Sequence, residues 1–148
     1  MVTLTNERLA LAGFSVAALL LALSASVWLG TSSTDTADPG RQLYVANCSQ
    51  CHGANLEGQA DWKRPGPSGR MPAPPHDASG HTWHHADKQL ARIILDGLAA
   101  LAPGYESDMP PFRGRLSETE VAKILAYLKG SWPSREREYQ QARTEQDP

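Results

Sequence analysis

The chain has 148 residues and a formal net charge of −2, from 14 lysines and arginines against 16 aspartates and glutamates. The basic residues are scattered along the sequence, which excludes the basic patch typical of a nucleic-acid-binding protein. Two cysteines are too few for the disulfide framework of a small secreted domain.

Residues 1–8 form a short N-terminal segment, and residues 9–30 contain no charged side chain. At about 1.5 Å per residue, an apolar helix over 9–30 is long enough to cross a hydrocarbon core of about 30 Å. A secretory signal has a shorter apolar core, of roughly 7–15 residues. We therefore expect an uncleaved transmembrane anchor. The alternative is a signal peptide cleaved near residues 24–26 (Ser-Ala-Ser).

A small, polar linker over residues 31–38 is predicted to precede the first helix of a domain spanning 39–133. Asp38 and Pro39 have the pattern of an N-cap followed by proline in the first turn. Gly40 and Tyr44 lie four residues apart and share a helix face. Glycine within a helix costs about 1 kcal/mol relative to alanine, which favours a close helix crossing at Gly40. The alternative is that Gly40 lies only in the tolerant first turn.

Residues 48–52 read Cys-Ser-Gln-Cys-His, a C-x-x-C-H motif typical of covalent c-type haem attachment. The thiols of Cys48 and Cys51 would add to the two haem vinyl groups, and His52 would be the proximal iron ligand. A structural zinc site normally needs four ligands, more than this motif offers. A redox-active dithiol remains as an alternative, although no predicted strand precedes Cys48. The predicted cofactor is one covalent haem c.

The stretch from 53 to 80 is rich in proline and glycine and is predicted to be a long loop. A loop of this length in a compact domain needs a reason, and wrapping around a flat cofactor is one.

Two further helices are predicted, over 87–95 with Gly97 as the stop and from Ser117 onwards. Ser117 and Glu120 have the spacing of a capping box, and Gly130 and Pro133 are expected to end the second of these helices. No alternating strand pattern is present. The fold class is therefore all-α, with three main helices around the haem and one transmembrane helix before them. A charged tail over 134–148 is expected to be a solvated, frayed helix or disordered.

Met109 is the candidate for the second iron ligand. It lies between two predicted helices, in a segment that prolines stiffen. Methionine with histidine is a standard axial pair in cytochromes c. Met71 is the competitor, but it follows His52 closely in sequence.

Together these features resemble a small mono-haem cytochrome c of the His/Met type, over about residues 39–132. The resemblance rests on Gly40 and Tyr44 and on residues 48–53, 109–112 and 124–129. It implies that the first helix crosses the last, with Gly40 and Tyr44 against Ile124 and Tyr127. It also implies that haem is attached in the periplasm, and that a proline carbonyl, for which Pro74 is the candidate, accepts a hydrogen bond from His52.

Four histidines, His76, His81, His84 and His85, depart from the small-cytochrome pattern. Three interpretations remain open: a hydrogen bond from Trp83 or a histidine to the haem propionates, a solvated surface, or a metal site that would suit copper.

The predicted function is one-electron transfer by a membrane-tethered electron carrier, without catalysis and without a small-molecule substrate. Its partners would be redox proteins, and it would cross the bacterial cytoplasmic membrane once with the haem domain on the periplasmic side. The alternative is a cytochrome c subunit of a larger oxidase or dehydrogenase complex. A sensor or peroxidase-like haem, in which Met109 dissociates, is a third hypothesis.

Several basic residues follow the two predicted iron ligands in sequence. If they ring an exposed haem edge, they would steer an acidic partner. The alternative is that they are ordinary solvated charges. The residues are Lys63, Arg64, Arg70, Arg113 and Arg115.

Overall fold

The computed structural model describes residues 38–147, so the predicted N-terminal segment, anchor and most of the linker lie outside the described residues. Within 38–147, no helix is both long enough and apolar enough to cross a membrane. The described helices are α1 (Pro39–Asn47), α2 (Ser49–His52), α3 (Asp87–Asp96), α4 (Glu118–Ser131) and α5 (Ser134–Gln146). Two 3₁₀ turns cover Thr82–His84 and Leu98–Ala100. The all-α prediction is confirmed for this part of the chain.

Helix α1 begins as predicted from its capping residues. The Asp38 carboxylate accepts a hydrogen bond from the Gly40 N–H at 2.8 Å, and Pro39 occupies the first turn. The capping box of α4 is also present, because the Ser117 hydroxyl accepts from the Glu120 N–H and the Glu120 carboxylate accepts from the Ser117 N–H. Gly97 ends α3 with φ of 82°, a conformation that favours glycine.

Helix α1 packs across α4 at Gly40. A Cβ atom at Gly40 would overlap the Lys123 carbonyl oxygen and lie 2.9 Å from the Tyr127 Cβ. The rings of Tyr44 and Tyr127 have centroids 5.5 Å apart, and Tyr44 and Ile124 are fully buried. The crossing of the first and last helices of the cytochrome pattern is therefore confirmed, and the glycine serves packing.

Replacing Gly40 with alanine is expected to destabilise the domain by about 1–3 kcal/mol, because overpacking against a backbone carbonyl cannot be relieved by a rotamer change. Gly130→Ala in α4 is the matched control, since nothing lies within 4 Å of the position of its Cβ. That control is expected to stabilise the domain by about 0.5–1 kcal/mol through helix propensity. Urea unfolding of the haem-loaded protein, followed by circular dichroism, measures both. Equal effects at the two positions would contradict the close crossing.

Helix α4 ends between Gly130 and Pro133, as predicted. The helix continues through Ser131, and the extended Trp132 follows it. Trp132 is 2% exposed, and its indole N–H donates to the His76 carbonyl at 2.7 Å. This hydrogen bond joins residues 56 positions apart in the chain.

Of the two alternatives for the charged tail, the solvated helix is found over residues 134–146, where most side chains are exposed. These residues form α5, in which Gln140 is 1% exposed. Its amide donates to the Asp87 carboxylate at 2.7 Å and to the His85 carbonyl at 3.2 Å. The Asp87 N–H donates to the Thr144 hydroxyl at 3.1 Å. Polar side chains hold α5 against the start of α3, so the sequence of α5 lacks the apolar periodicity that is typical of a packed helix.

Candidate haem site

A cavity of about 660 Å³ lies between α1, α2, α3, α4, the long loop 53–80 and the segment 98–112. This volume falls within the range of small-molecule and cofactor sites, roughly 300–1,000 Å³. Its interior is walled mainly by apolar side chains, and among the described residues no lysine or arginine lines it. The apolar wall includes Leu90, Ile93, Ile94, Phe112, Ile124, Leu125 and Leu128. The structure brings Cys48, Cys51, His52 and Met109 into the wall of this one cavity.

The two cysteines lie where α1 passes into α2. The His52 N–H donates to the Cys48 carbonyl at 2.9 Å, so one helical turn carries both thiols and the imidazole. Cys48 is half-buried and Cys51 is exposed. Burial, with a smaller contribution from Cys51, raises the pKa of the Cys48 thiol to about 11. A redox-active dithiol needs a thiol with a lowered pKa. Cys48 therefore lacks the lowered pKa that a reactive thiol of this kind needs.

His52 is 7% exposed and is held in one tautomer. Its Nδ1 lies 2.9 Å from the Pro74 carbonyl oxygen, which can only accept a hydrogen bond. Nδ1 therefore carries the proton, and Nε2 keeps the lone pair that an iron ligand needs. Burial lowers the pKa of His52, against the opposing effect of the bond to Pro74, so the ring favours the neutral form. The predicted hydrogen bond to Pro74 is confirmed.

Two segments of the loop 53–80 approach each other closely, and this approach holds the Pro74 carbonyl in place. Gly58 has φ of 67°, and a Cβ there would lie 2.6 Å from the Pro74 carbonyl carbon. The Gln59 N–H donates to the Ala73 carbonyl at 2.9 Å, and the Gln59 side chain accepts from the Ala73 N–H at 2.8 Å. This pairing explains how a loop without regular structure positions the proximal histidine.

Both candidate methionines line the cavity. Met109 packs against the hydrophobic core, and its segment is anchored where the Phe112 N–H donates to the Ile94 carbonyl at 2.9 Å. Met71 neighbours Arg70, whose guanidinium binds the Asp108 carboxylate at 2.6 Å beside Met109. The Arg70–Asp108 bond therefore joins the two methionine-bearing segments, and the cavity wall contains the predicted ligand together with its competitor.

The histidines divide into two groups. His76, His81 and His85 line the cavity, whereas His84 is exposed and stacks on Trp83 at 3.7 Å. Trp83 does not line the cavity, yet its indole N–H is buried and has no hydrogen-bond partner among the described residues. A bond from this N–H or from a cavity histidine to the haem propionates stays a prediction. Within residues 38–147, no three His, Cys, Asp or Glu side chains converge to hold a metal ion, which leaves the copper interpretation without support.

Two ring contacts in the cavity wall were not anticipated from the sequence. Trp62 lines the cavity and stacks on His81, with centroids 5.3 Å apart and an interplanar angle of 18°. His76 stacks on His52 itself, at 4.0 Å and 21°. No local sequence pattern predicts either contact, because each depends on how the loop 53–80 folds back on the C-x-x-C-H motif.

Two of the five basic residues that follow the predicted iron ligands form ion pairs. Arg70 pairs with Asp108 at 2.6 Å and with Glu106 at 3.5 Å, and Arg113 forms two bonds to Asp96 at 2.5 and 3.0 Å. The Lys63 ammonium lies 5.0 Å from the centre of the Trp62 ring. For Arg70 and Arg113 the structure favours locally paired charges over a ring of free cations.

These residues fit a covalently bound haem. The cavity offers two thiols and a neutral imidazole with a free Nε2 on one helical turn, a thioether elsewhere in its wall, and apolar surroundings for a flat macrocycle. Apolar surroundings also tune the reduction potential of a bound haem, because they limit access of water to it.

Comparison with known proteins gives the same assignment. The sequence profile of the Cytochrome c family matches residues 37–132, more than half of the chain. The chain is 31% identical over 110 residues to the Cbb3-type cytochrome c oxidase subunit FixPc of Rhizobium leguminosarum bv. viciae, covering 72% of this chain and 32% of that protein. It is 26% identical over 114 residues to Cytochrome c6 of Picosynechococcus sp., covering 75% of this chain and 88% of that protein.

The chain thus spans about a third of the length of the Rhizobium relative. No solved structure matches it significantly. The family profile covers a helical domain that surrounds an apolar cavity and carries the C-x-x-C-H turn in the cavity wall. This chain is therefore a member of the cytochrome c family, whose domains bind haem c covalently and transfer electrons.

Proposed function

We propose that the protein is a membrane-tethered carrier of single electrons between redox proteins. Cys48 and Cys51 hold the haem, and His52 and Met109 are its axial ligands. The observation that carries the proposal is the meeting of these four side chains in one cavity, with His52 presenting a free Nε2.

The bound haem supplies a reversible ferric/ferrous couple, and this chain's residues set its conditions. The Pro74 carbonyl orients the His52 ring, and the leucines and isoleucines of α3 and α4 exclude water from the cavity. A methionine ligand raises the reduction potential relative to a second histidine. With both axial positions filled, no position remains for a substrate, which suits a carrier better than an enzyme.

The tether is proposed from residues 9–30, whose uncharged run is long enough for one membrane crossing. In this arrangement the haem domain lies on the periplasmic side of the bacterial cytoplasmic membrane. The linker confines the domain to a shell near the membrane, which raises its effective concentration for membrane-bound partners.

Stopped-flow reduction by native membranes tests the proposal. The full chain is compared with a variant lacking residues 9–30, and a third variant carries an unrelated apolar membrane helix in their place. We expect anchor removal to slow reduction without changing the haem spectrum, and the substitute helix to restore the rate. Equal rates with and without an anchor, or rapid turnover of peroxide, would contradict the proposal.

The similarity to an oxidase subunit favours a second candidate, a cytochrome c subunit of a larger oxidase or dehydrogenase complex. Extraction of the full chain from native membranes in mild detergent separates the two. A stoichiometric complex with catalytic subunits would support the second candidate, and an isolated chain would support the carrier.

A further inference from the structure

We propose that His76 is a positioning residue for the axial imidazole of His52, and that it sets the plane of that ring by stacking on its face. This inference rests on the proposed role of His52 as the proximal haem ligand. It assigns a function to a histidine that the cytochrome pattern does not require.

The stacking geometry is close and nearly parallel. The ring centroids of His52 and His76 lie 4.0 Å apart, and the ring planes differ by 21°. The Pro74 carbonyl binds His52 at Nδ1, on the edge of the ring. The edge contact fixes the tautomer, and the face contact opposes rotation of the ring about its Cβ–Cγ bond. The two contacts therefore restrain different movements of the same imidazole.

His76 is itself anchored from several directions, as a positioning residue must be. Its Nδ1 shares a hydrogen bond of 2.7 Å with the hydroxyl of Thr82, a residue that is 5% exposed. The backbone N–H of His76 donates to the Leu56 carbonyl at 2.8 Å, and the backbone carbonyl of His76 accepts from the Trp132 indole N–H at 2.7 Å. The Tyr44 ring meets it edge-on at 6.1 Å. These contacts leave the His76 ring little freedom to turn.

The plane of an axial imidazole decides which iron d orbitals overlap with its π system. In the ferric protein, that overlap helps to determine how unpaired spin is distributed over the four haem methyl groups. Partners of a metal ligand's second nitrogen are known to fix its orientation and tune its metal. Here the face of the ring is held as well, so loss of the stack should alter the spin distribution without removing the ligand.

The experiment compares the proton NMR spectra of ferric, haem-loaded full-length variants. His76→Phe keeps a flat ring over His52, whereas His76→Leu removes it. Thr82→Val keeps the shape of Thr82 and removes the hydrogen bond that orients His76. His84→Leu is the control, since His84 is exposed and lies outside the cavity wall.

We expect His76→Leu to redistribute the haem methyl resonances and to shift the reduction potential. His76→Phe should stay close to the wild type, Thr82→Val should move in the direction of the leucine variant, and His84→Leu should change nothing. An unchanged methyl pattern in His76→Leu, or equal changes in the phenylalanine and leucine variants, would overturn the proposal. If His76→Leu fails to bind haem, Thr82→Val decides, because an unchanged pattern there overturns the proposal as well.

The optical spectrum of the wild type separates this inference from the proposed function. A wild type without covalent haem, or without histidine ligation, would refute both. Histidine-ligated haem with a methyl pattern that is insensitive to position 76 would refute only the stacking role.

Discussion

Replacing both Cys48 and Cys51 with serine is expected to abolish covalent haem attachment altogether. The two thiols lie on one turn at the cavity wall, and they are the only cysteines in the sequence, so no other side chain can form a thioether. Intact mass and haem staining on a denaturing gel measure the result. The wild type should keep its haem after denaturation, whereas the double variant should lose it.

The single variants should each retain one thioether bond and part of the haem stain. Gln50→Ala is the matched control, because Gln50 lies between the cysteines and is exposed. It should keep full attachment. If acid-acetone strips the haem from the wild type, the covalent assignment is wrong. A reversible disulfide between Cys48 and Cys51 in the mature protein would favour the dithiol alternative instead.

Replacing Met109 with alanine is expected to remove the distal ligand and leave the fold nearly intact. Met109 is only half-buried, so the loss of stability should fall at or below the lower end of the roughly 2–5 kcal/mol typical of buried methionine to alanine. The weak near-infrared band from sulfur to ferric iron should disappear, and carbon monoxide should bind the ferrous haem. Met109→His should lower the reduction potential, since a thioether ligand raises it.

Met71→Ala is the matched control, because Met71 lines the same cavity. Its near-infrared band and its resistance to carbon monoxide should equal those of the wild type. Loss of the band in Met71→Ala, with the band kept in Met109→Ala, would make Met71 the ligand. Carbon monoxide binding by the wild type would favour the sensor or peroxidase-like hypothesis.

Features that depend on a few consecutive residues were predictable. The cap at Asp38, the capping box of Ser117 and Glu120 and the stop at Gly97 are all found in the structure. Each depends on hydrogen bonds or backbone angles within one turn, so the neighbouring residues determine them. The crossing at Gly40 was predictable from the cytochrome resemblance, and the structure supplies the close contact with Lys123 that explains the glycine.

Features that depend on distant residues escaped prediction. Helix α5 docks through Gln140 and Thr144, whose polar side chains look solvated in the sequence. The sequence left open whether Arg70 and Arg113 steer a partner, and it did not show their ion pairs with Asp108 and Asp96, which lie 38 and 17 residues away in the chain. Hydrogen bonds and ion pairs of this kind leave no periodic pattern, because either partner alone is compatible with solvent.

The haem site shows both kinds of determination. The sequence alone determined the C-x-x-C-H turn, the candidate Met109 and the all-α class, because thiol spacing, ligand chemistry and helix periodicity are local properties. Only the tertiary structure decided that three histidines line the cavity, that His76 lies on the face of His52, and that the Trp83 indole N–H is buried without a partner. The reason is physical: the loop 53–80 has no regular structure of its own, so its course follows from close backbone approaches and hydrogen bonds that form only when the domain folds.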